Sequence, residues 1–146
     1  MQEIYLDHSA TTPIRPKVLE AMLPFLREHH GNAGSLHRFG RDCRRAVETA
    51  REQVAALINA EPREILFTSG GTESDNLAIC GIVEATDRKA IRLVTTALEH
   101  HAVLHACESL ARANRVDLQV AGVDREGLVD PDAVEELLGD ETVLVS

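Results

Sequence analysis

Residues 65–76 read Ile65-Leu66-Phe67-Thr68-Ser69-Gly70-Gly71-Thr72-Glu73-Ser74-Asp75-Asn76. An apolar run enters a pair of glycines, and a helical pattern follows through Ile79 and Val83. Glycines let a backbone turn sharply and approach a ligand closely. The start of a helix presents unpaired amides and the positive end of the helix dipole, which together favour a phosphate. A phosphate-binding loop and a plain helix cap both fit these residues taken alone.

The sequence on either side of this stretch alternates between strand-like and helix-like segments. Strands are predicted at residues 4–6, 64–68, 91–96, 117–120 and 143–145. Helices are predicted at residues 15–29, 38–59, 101–113 and 130–138, with Ser35 as a candidate cap for the second of them. A further helix is predicted to open at residues 69–72 and to run through Val83. Strands that alternate with helices indicate right-handed βαβ units around a mostly parallel sheet, so the predicted class is α/β.

The composition excludes several functional classes. The chain has 146 residues, 44% of them hydrophobic and 27% charged, and a net charge of −9. This charge argues against a nucleic-acid or anionic-membrane partner, because both need clustered Lys and Arg. No apolar run approaches the roughly 18 residues of a membrane span. The three cysteines are widely spaced, which disfavours a disulfide framework and indicates a reducing, cytoplasmic setting.

Four motifs then occur in a fixed order over most of the chain. They are Tyr5-Leu6-Asp7-His8-Ser9-Ala10-Thr11-Thr12-Pro13, Gly31-Asn32-Ala33-Gly34-Ser35 with His37-Arg38-Phe39-Gly40, Phe67 to Asn76, and Glu99-His100-His101-Ala102-Val103. Together they resemble the motifs of class V aminotransferase-like enzymes, and of cysteine desulfurases in particular. These enzymes use pyridoxal 5′-phosphate.

The resemblance implies a fold and a division of the chain. It implies a three-layer αβα fold with a mostly parallel sheet, as part of the large domain of a fold-type I pyridoxal-phosphate-dependent transferase. Residues 1–14 would be an N-terminal segment that packs with a C-terminal small domain absent here. Residues 15–146 would be the first part of the cofactor-binding large domain, truncated at its C-terminal end inside the apolar run Val143-Leu144-Val145.

The resemblance also assigns candidate site residues. Gly71 and Thr72 would bind the cofactor phosphate through backbone and hydroxyl groups. His100 would stack on the pyridine ring and assist proton transfer, and an imidazole suits both tasks because it is flat and exchanges protons near neutral pH. The alternative for His100 is a histidine that only caps the following helix.

Other polar residues carry weaker assignments. Ala10, Thr11 and Asn32 resemble loops that border the substrate cleft, although plain turns explain them as well. His101 and His105 share one helix face, as two metal ligands could. No third ligand is placed by the sequence, so a solvated face is favoured and no metal site is predicted.

Two groups that the family needs have no match among these residues. The lysine that holds the cofactor covalently follows a Ser-x-His motif further along the family's sequences, and neither Lys17 nor Lys89 lies in such a motif. The sulfur-carrying cysteine also lies in the family's later part. Cys43, Cys80 and Cys107 fall instead within predicted helices, where cysteines are usually inert. We therefore predict that this chain alone is catalytically inactive.

The implied activity of the complete protein is removal of sulfur from L-cysteine, which yields L-alanine and an enzyme persulfide. Its implied partners are a second copy in a homodimer and sulfur-acceptor or iron–sulfur scaffold proteins, in iron–sulfur cluster assembly or tRNA thiolation. Two alternatives stay open: another class V enzyme, such as a selenocysteine lyase or an aminotransferase, and a truncated, non-catalytic paralogue that acts as an interaction module.

Overall fold

The structure, a computed structural model, describes residues 3–146. The chain forms two compact units, of which the first ends at Leu66 and the second spans Phe67–Ser146. Across the described range, none of the helices combines the length and the apolar character that a membrane crossing requires.

The first unit contains two helices, α1 (Pro16–Arg27) and α2 (Arg38–Leu57), and a 3-10 turn at Pro62–Glu64. Both predicted helices are confirmed, and each ends two residues earlier than predicted. The end of α2 has a clear cause, because Asn59 adopts a φ of 56°. Asparagine tolerates this left-handed conformation, which stops a helix.

The cap of α2 differs from the prediction. His37, not Ser35, precedes the helix, and its Nδ1 accepts a hydrogen bond from the Gly40 amide at 3.3 Å. The Ser35 amide instead donates to the Asn32 carbonyl at 2.9 Å, within the loop before the helix. The prediction was wrong because the helix begins later than a cap at Ser35 requires, and the residue next to its first turn is a histidine.

Two predicted strands are absent from the described residues. Residues 4–6 have no neighbouring strand, and the side chains of Ile4 and Leu6 are 78% and 85% exposed. At residues 64–68, the Ile65 carbonyl accepts from the guanidinium of Arg51, and the Ile65 amide donates to the Pro62 carbonyl at 3.2 Å. Both predictions were wrong because an apolar run becomes a strand only where a second strand pairs with its backbone groups.

The second unit contains a parallel sheet and the helices that cover it. Its elements are α3 (Gly71–Ala85), β1 (Arg92–Thr96), α4 (His101–Arg112), β2 (Asp117–Ala121), α5 (Pro131–Glu135) and β3 (Thr142–Val145). The strand order is β2-β1-β3, and both pairings are parallel. The predicted α/β class with a parallel sheet is therefore confirmed, and the last predicted helix is shorter than expected.

The core of this unit fixes α3 and α4 on one face of the sheet. Leu93 of the central strand is fully buried, and it lies in one apolar cluster with Ile79 and Val83 of α3 and with Val103 and Cys107 of α4. Each of these side chains removes apolar surface from water, worth about 1.5–3 kcal/mol per large residue. The two helices that carry the candidate site residues therefore share one rigid support.

Thr95 in the central strand provides a stability test. Its side chain is buried, and its hydroxyl has no hydrogen-bond partner among the described residues. Such a group keeps a desolvation cost without compensation, so we expect Thr95→Val to raise the free energy of unfolding by about 1 kcal/mol. The neighbouring Thr96 accepts from the Leu98 amide and donates to Glu99, so Thr96→Val should lower it. Urea unfolding of both variants checks this, and equal losses of stability in the two would contradict it.

Candidate functional site

The loop at residues 68–70, which precedes α3, is held in its conformation by hydrogen bonds from nearby side chains. The amide and the hydroxyl of Ser69 both donate to Oε2 of Glu73, at 2.7 and 2.6 Å. The hydroxyls of Thr68 and Ser74 lie 2.6 Å from each other and 3.2 and 3.1 Å from the Gly70 carbonyl oxygen. Since each has a single hydrogen, one hydroxyl donates to the other, which donates to the carbonyl. The loop is thus organised before any ligand arrives.

The glycine pair leaves this end of α3 open. Gly70 has a φ of 164° and a ψ of −177°, an extended backbone that other residues also adopt, so the turn itself does not require glycine. A Cβ added to Gly70 or Gly71 would meet no atom of the described residues within 4 Å. Gly70 provides no side-chain cap, and the first amides of a helix have no partner within the helix. Open space, bare amides and the Thr72 hydroxyl fit the phosphate of pyridoxal 5′-phosphate.

His100 directly precedes α4 and caps it. Its Nδ1 accepts from the Ala102 amide at 3.1 Å, as the alternative interpretation from the sequence required. The cap does not exclude a chemical role, because the ring is exposed and Nε2 remains available. Since Nδ1 must be unprotonated to accept, the neutral ring carries its hydrogen on Nε2. With the cap in place, His100 therefore offers an N–H donor at one defined atom, Nε2, and it can take up a proton only at Nδ1, once the Ala102 amide no longer occupies that nitrogen.

Asn76 connects the two helix starts. Its side-chain nitrogen donates to the Thr72 carbonyl at 2.8 Å and to the Ala102 carbonyl at 3.4 Å. The first turn of α3, with Gly71 and Thr72, is thereby tied to the first turn of α4, which His100 caps. The three residues predicted to bind the cofactor thus lie at two helix starts that Asn76 links.

Sequence reasoning gave Asn76 and Glu73 no role. The available signal was their spacing, because Asn76 lies four residues after Thr72, and Glu73 lies four residues after Ser69. Residues four apart are neighbours on a helix or at its first turn. The contact of Asn76 with Ala102 had no such local signal.

A groove runs between α3 and α4, with a volume of about 450 Å³. Thr72, Asn76 and Cys80 line one side, and His101 and His105 line the other. The two imidazole rings stack with centroids 4.8 Å apart and remain exposed, as expected for a solvated helix face. Within residues 3–146, no group of three or more His, Cys, Asp or Glu side chains is arranged to hold a metal ion.

Cys107 and Lys89 lie away from the two helix starts. Cys107 is buried against the sheet, and burial raises the pKa of its thiol. Cys43 is buried in the first unit, where its thiol donates to the His29 carbonyl at 3.3 Å. Lys89 precedes β1, so it lies at the opposite end of that strand from His100. These positions agree with helix packing for the two buried cysteines.

The candidate cleft residues Ala10, Thr11 and Asn32 lie in the first unit. The amides of Ala10 and Thr11 both donate to the Asp7 carbonyl, at 3.2 and 3.4 Å, in an exposed turn. Oδ1 of Asn32 accepts from the Gly34 amide at 2.7 Å. All three residues therefore shape turns, and their place at a substrate cleft stays a prediction.

The carboxyl group of Glu73 gives the loop a pH dependence. The Ser69 hydroxyl, and then its amide, lower the pKa of Glu73 in the folded chain. Folding thus favours the charged form, and this stabilisation is complete above the ordinary glutamate pKa of about 4.3 and is lost as the pH falls through the lowered value. We expect the Tm of the wild-type chain to fall more steeply below about pH 5 than that of Glu73→Gln.

Circular dichroism melts of both proteins between pH 7 and pH 3 measure this difference. Arg92 lowers the pKa of Asp117, so this ion pair also makes the Tm fall at low pH. The pair is present in both proteins, and subtraction of one curve of Tm against pH from the other removes its contribution. Parallel curves would show that Glu73 does not contribute.

Comparison with known protein families covers almost the whole chain. The profile of the family described as aminotransferase class-V matches residues 4–146. The chain belongs to the class-V aminotransferase family. The resemblance drawn from the four sequence motifs is thereby confirmed.

Within this family, the chain is similar in sequence to cysteine desulfurases. The chain is 49% identical over 145 residues to the cysteine desulfurase IscS of Dictyoglomus turgidum, an alignment that covers 99% of this chain and 36% of that protein. The chain thus spans little more than a third of the length of this relative.

Two solved structures share the fold. A NifS-like protein superposes with a TM-score of 0.87 at 35% identity, over 99% of this chain and 39% of that one. SspA in complex with cysteine superposes with a TM-score of 0.82 at 33% identity, over 97% of this chain and 40% of that one. The parallel sheet and its flanking helices therefore belong to the NifS-like fold.

Proposed function

We propose that this chain is the N-terminal part of a pyridoxal-phosphate-dependent cysteine desulfurase, which removes sulfur from L-cysteine and leaves L-alanine and an enzyme persulfide. One observation carries the proposal: 99% of the chain aligns at 49% identity with a named cysteine desulfurase, and the matched segment contains an uncapped helix start tied to His100. The relative solved with cysteine supports the choice of substrate.

The chain's own contribution is binding and orientation. The amides at the start of α3 and the Thr72 hydroxyl bind the cofactor phosphate, with the positive end of the helix dipole behind them. When bound, the cofactor supplies the electron sink that weakens bonds of the amino-acid substrate. His100 would cover one face of the ring and offer its Nε2–H to a bound group while Nδ1 accepts from the Ala102 amide. Release of that cap would free Nδ1 to take up a proton.

The remaining groups belong to the part of the relatives that this chain does not match. That part supplies the covalent lysine, the sulfur-carrying cysteine and the small domain against which residues 1–14 pack, while residues 15–146 form the first part of the large domain. The complete protein acts in the cytoplasm as a homodimer and passes sulfur to acceptor or iron–sulfur scaffold proteins.

A chimera tests the activity directly. Residues 1–146 replace the matching first part of the Dictyoglomus turgidum enzyme, to give a protein termed here the chimeric desulfurase. We expect it to bind pyridoxal 5′-phosphate and to release alanine from L-cysteine in equal amount to the sulfur collected by a thiol acceptor. A folded, cofactor-loaded chimera that acts on another amino acid but not on L-cysteine would contradict the proposal.

The isolated chain provides the complementary test. We expect no alanine from L-cysteine and no absorbance band of a lysine-bound cofactor after addition of pyridoxal 5′-phosphate. Lys89→Arg and Lys17→Arg serve as controls, since a weak band that either variant abolishes reports an adventitious adduct. Because Lys17 and Lys89 are the two lysines of the sequence, the outcome that would overturn the prediction of an inactive chain is alanine formation from L-cysteine by the isolated wild-type chain.

A further inference from the structure

The two hydrogen bonds of the Asn76 side chain differ in kind. The bond to the Thr72 carbonyl, 2.8 Å long, joins residues four apart on α3, as any helix allows. The bond to the Ala102 carbonyl, 3.4 Å long, joins residues 26 apart on two helices. Only the second bond relates one helix start to the other.

The chemistry of the amide explains why asparagine serves here. An Asn side chain has two N–H hydrogens on one nitrogen, so it can donate to two carbonyls at once. An aspartate of the same shape donates to neither carbonyl when charged, and a serine donates to one. Asn76 is half-buried, so water competes less for these bonds than at a fully exposed position.

We propose that Asn76 is a positioning residue, which sets the phosphate-binding start of α3 and the His100 ring at a fixed spacing for one cofactor. This inference rests on the proposed function. Ala102 connects Asn76 to His100, because its carbonyl accepts a hydrogen bond from Asn76 and its amide donates one to Nδ1 of His100. Displacement of the first turn of α4 therefore also displaces the group that fixes the proton of His100 on Nε2.

The effect is measured on the full 146-residue chain labelled with ¹⁵N. In the wild type we expect the ring nitrogens of His100 to show a single tautomer, with Nδ1 as acceptor. In Asn76→Asp and in Asn76→Ser we expect signals averaged between tautomers and a shifted Ala102 amide. Titration with pyridoxal 5′-phosphate, followed at the Gly71 and Thr72 amides, should show affinity weaker by about tenfold in both variants.

Ile79→Val is the matched control. Ile79 lies one turn further along α3 in the buried core, so loss of one methylene lowers the Tm without a change in either hydrogen bond of Asn76. We expect its His100 ring signals and its cofactor affinity to equal those of the wild type. Asn76 variants that behave in both respects like Ile79→Val would overturn the positioning role.

If the proposed function itself were wrong, the experiment would give a different result. It would leave the Gly71 and Thr72 amides of the wild-type chain unchanged when pyridoxal 5′-phosphate is added. The His100 ring signals need no cofactor, so they decide the link between Asn76 and His100 in either case. Asn76→Ser introduces no charge. If Asn76→Asp does not fold, Asn76→Ser can still be compared with Ile79→Val.

Discussion

Gly40→Ala is expected to lower the free energy of unfolding of the first unit by about 3 kcal/mol or more. A Cβ at Gly40 would lie 2.4 Å from the Ser35 carbonyl oxygen and 2.6 Å from the Asn32 carbonyl oxygen. Both obstacles are backbone atoms, so no flexible side chain can move aside. The start of α2 would have to separate from the loop of residues 31–36, which breaks the cap that His37 makes to the Gly40 amide.

Gly81→Ala is the control for this substitution. Gly81 is exposed within α3, and a Cβ there meets nothing within 4 Å, so the change should stabilise its helix by about 0.5–1 kcal/mol. Urea unfolding of both variants gives the stabilities, and hydrogen exchange of the amides at residues 38–44 localises the change. A Gly40→Ala protein as stable as the wild type would show that the loop gives way without cost.

Gly31 tests the same contact from the other side. A Cβ at Gly31 would lie 2.3 Å from the Phe39 carbonyl oxygen, so Gly31→Ala should separate the same two segments. Once one substitution has separated the loop from the start of α2, the second removes little further stabilisation. The double variant should therefore be less destabilised than the sum of the two single variants.

Gly31 and Gly40 show which structural features could not be predicted from the sequence. Gly31 and Gly40 both lie in motifs that carried the family resemblance, yet their physical role is a backbone contact between a loop and a helix. No local pattern predicts such a contact, because it depends on which segments meet in three dimensions. Helix α3, by contrast, was predictable from its neighbours in sequence, since the glycine pair and the apolar spacing through Ile79 and Val83 are local signals.

The strands divide in the same way. The apolar runs that became β1, β2 and β3 were predicted correctly, and each is paired in the parallel sheet. The runs at residues 4–6 and 64–68 look equally apolar, but the described residues give them no strand to pair with. Hydrophobicity indicates that a segment can be a strand, and only the presence of a partner makes it one.

The candidate site was predictable to the extent that it is local. Gly71, Thr72 and His100 follow from motifs, and the structure places them at two helix starts tied together by Asn76. The hydrogen bond from the Ala102 amide to His100 was foreseen as an alternative to a chemical role. The structure shows that the cap and the available Nε2 coexist, so only an experiment that separates the two can assign the role of His100.

His100→Asn makes that separation in the chimeric desulfurase. Asparagine is a good helix cap, so the start of α4 should keep its hydrogen bond from the Ala102 amide, with a Tm near that of the unsubstituted chimera. It has no group that exchanges protons near neutral pH, and it is smaller than an imidazole. If His100 moves a proton during the reaction, kcat for alanine release should fall by about 10²–10⁴-fold.

Two further variants complete the comparison. His100→Ala should lose the activity and, in addition, about 1 kcal/mol of stability, because the cap is gone. His37→Asn exchanges the other capping histidine, at the start of α2, and should keep both the activity and the stability. A His100→Asn enzyme as active as His37→Asn would mean that His100 serves only as a cap. Another group of the chimera would then have to move the proton.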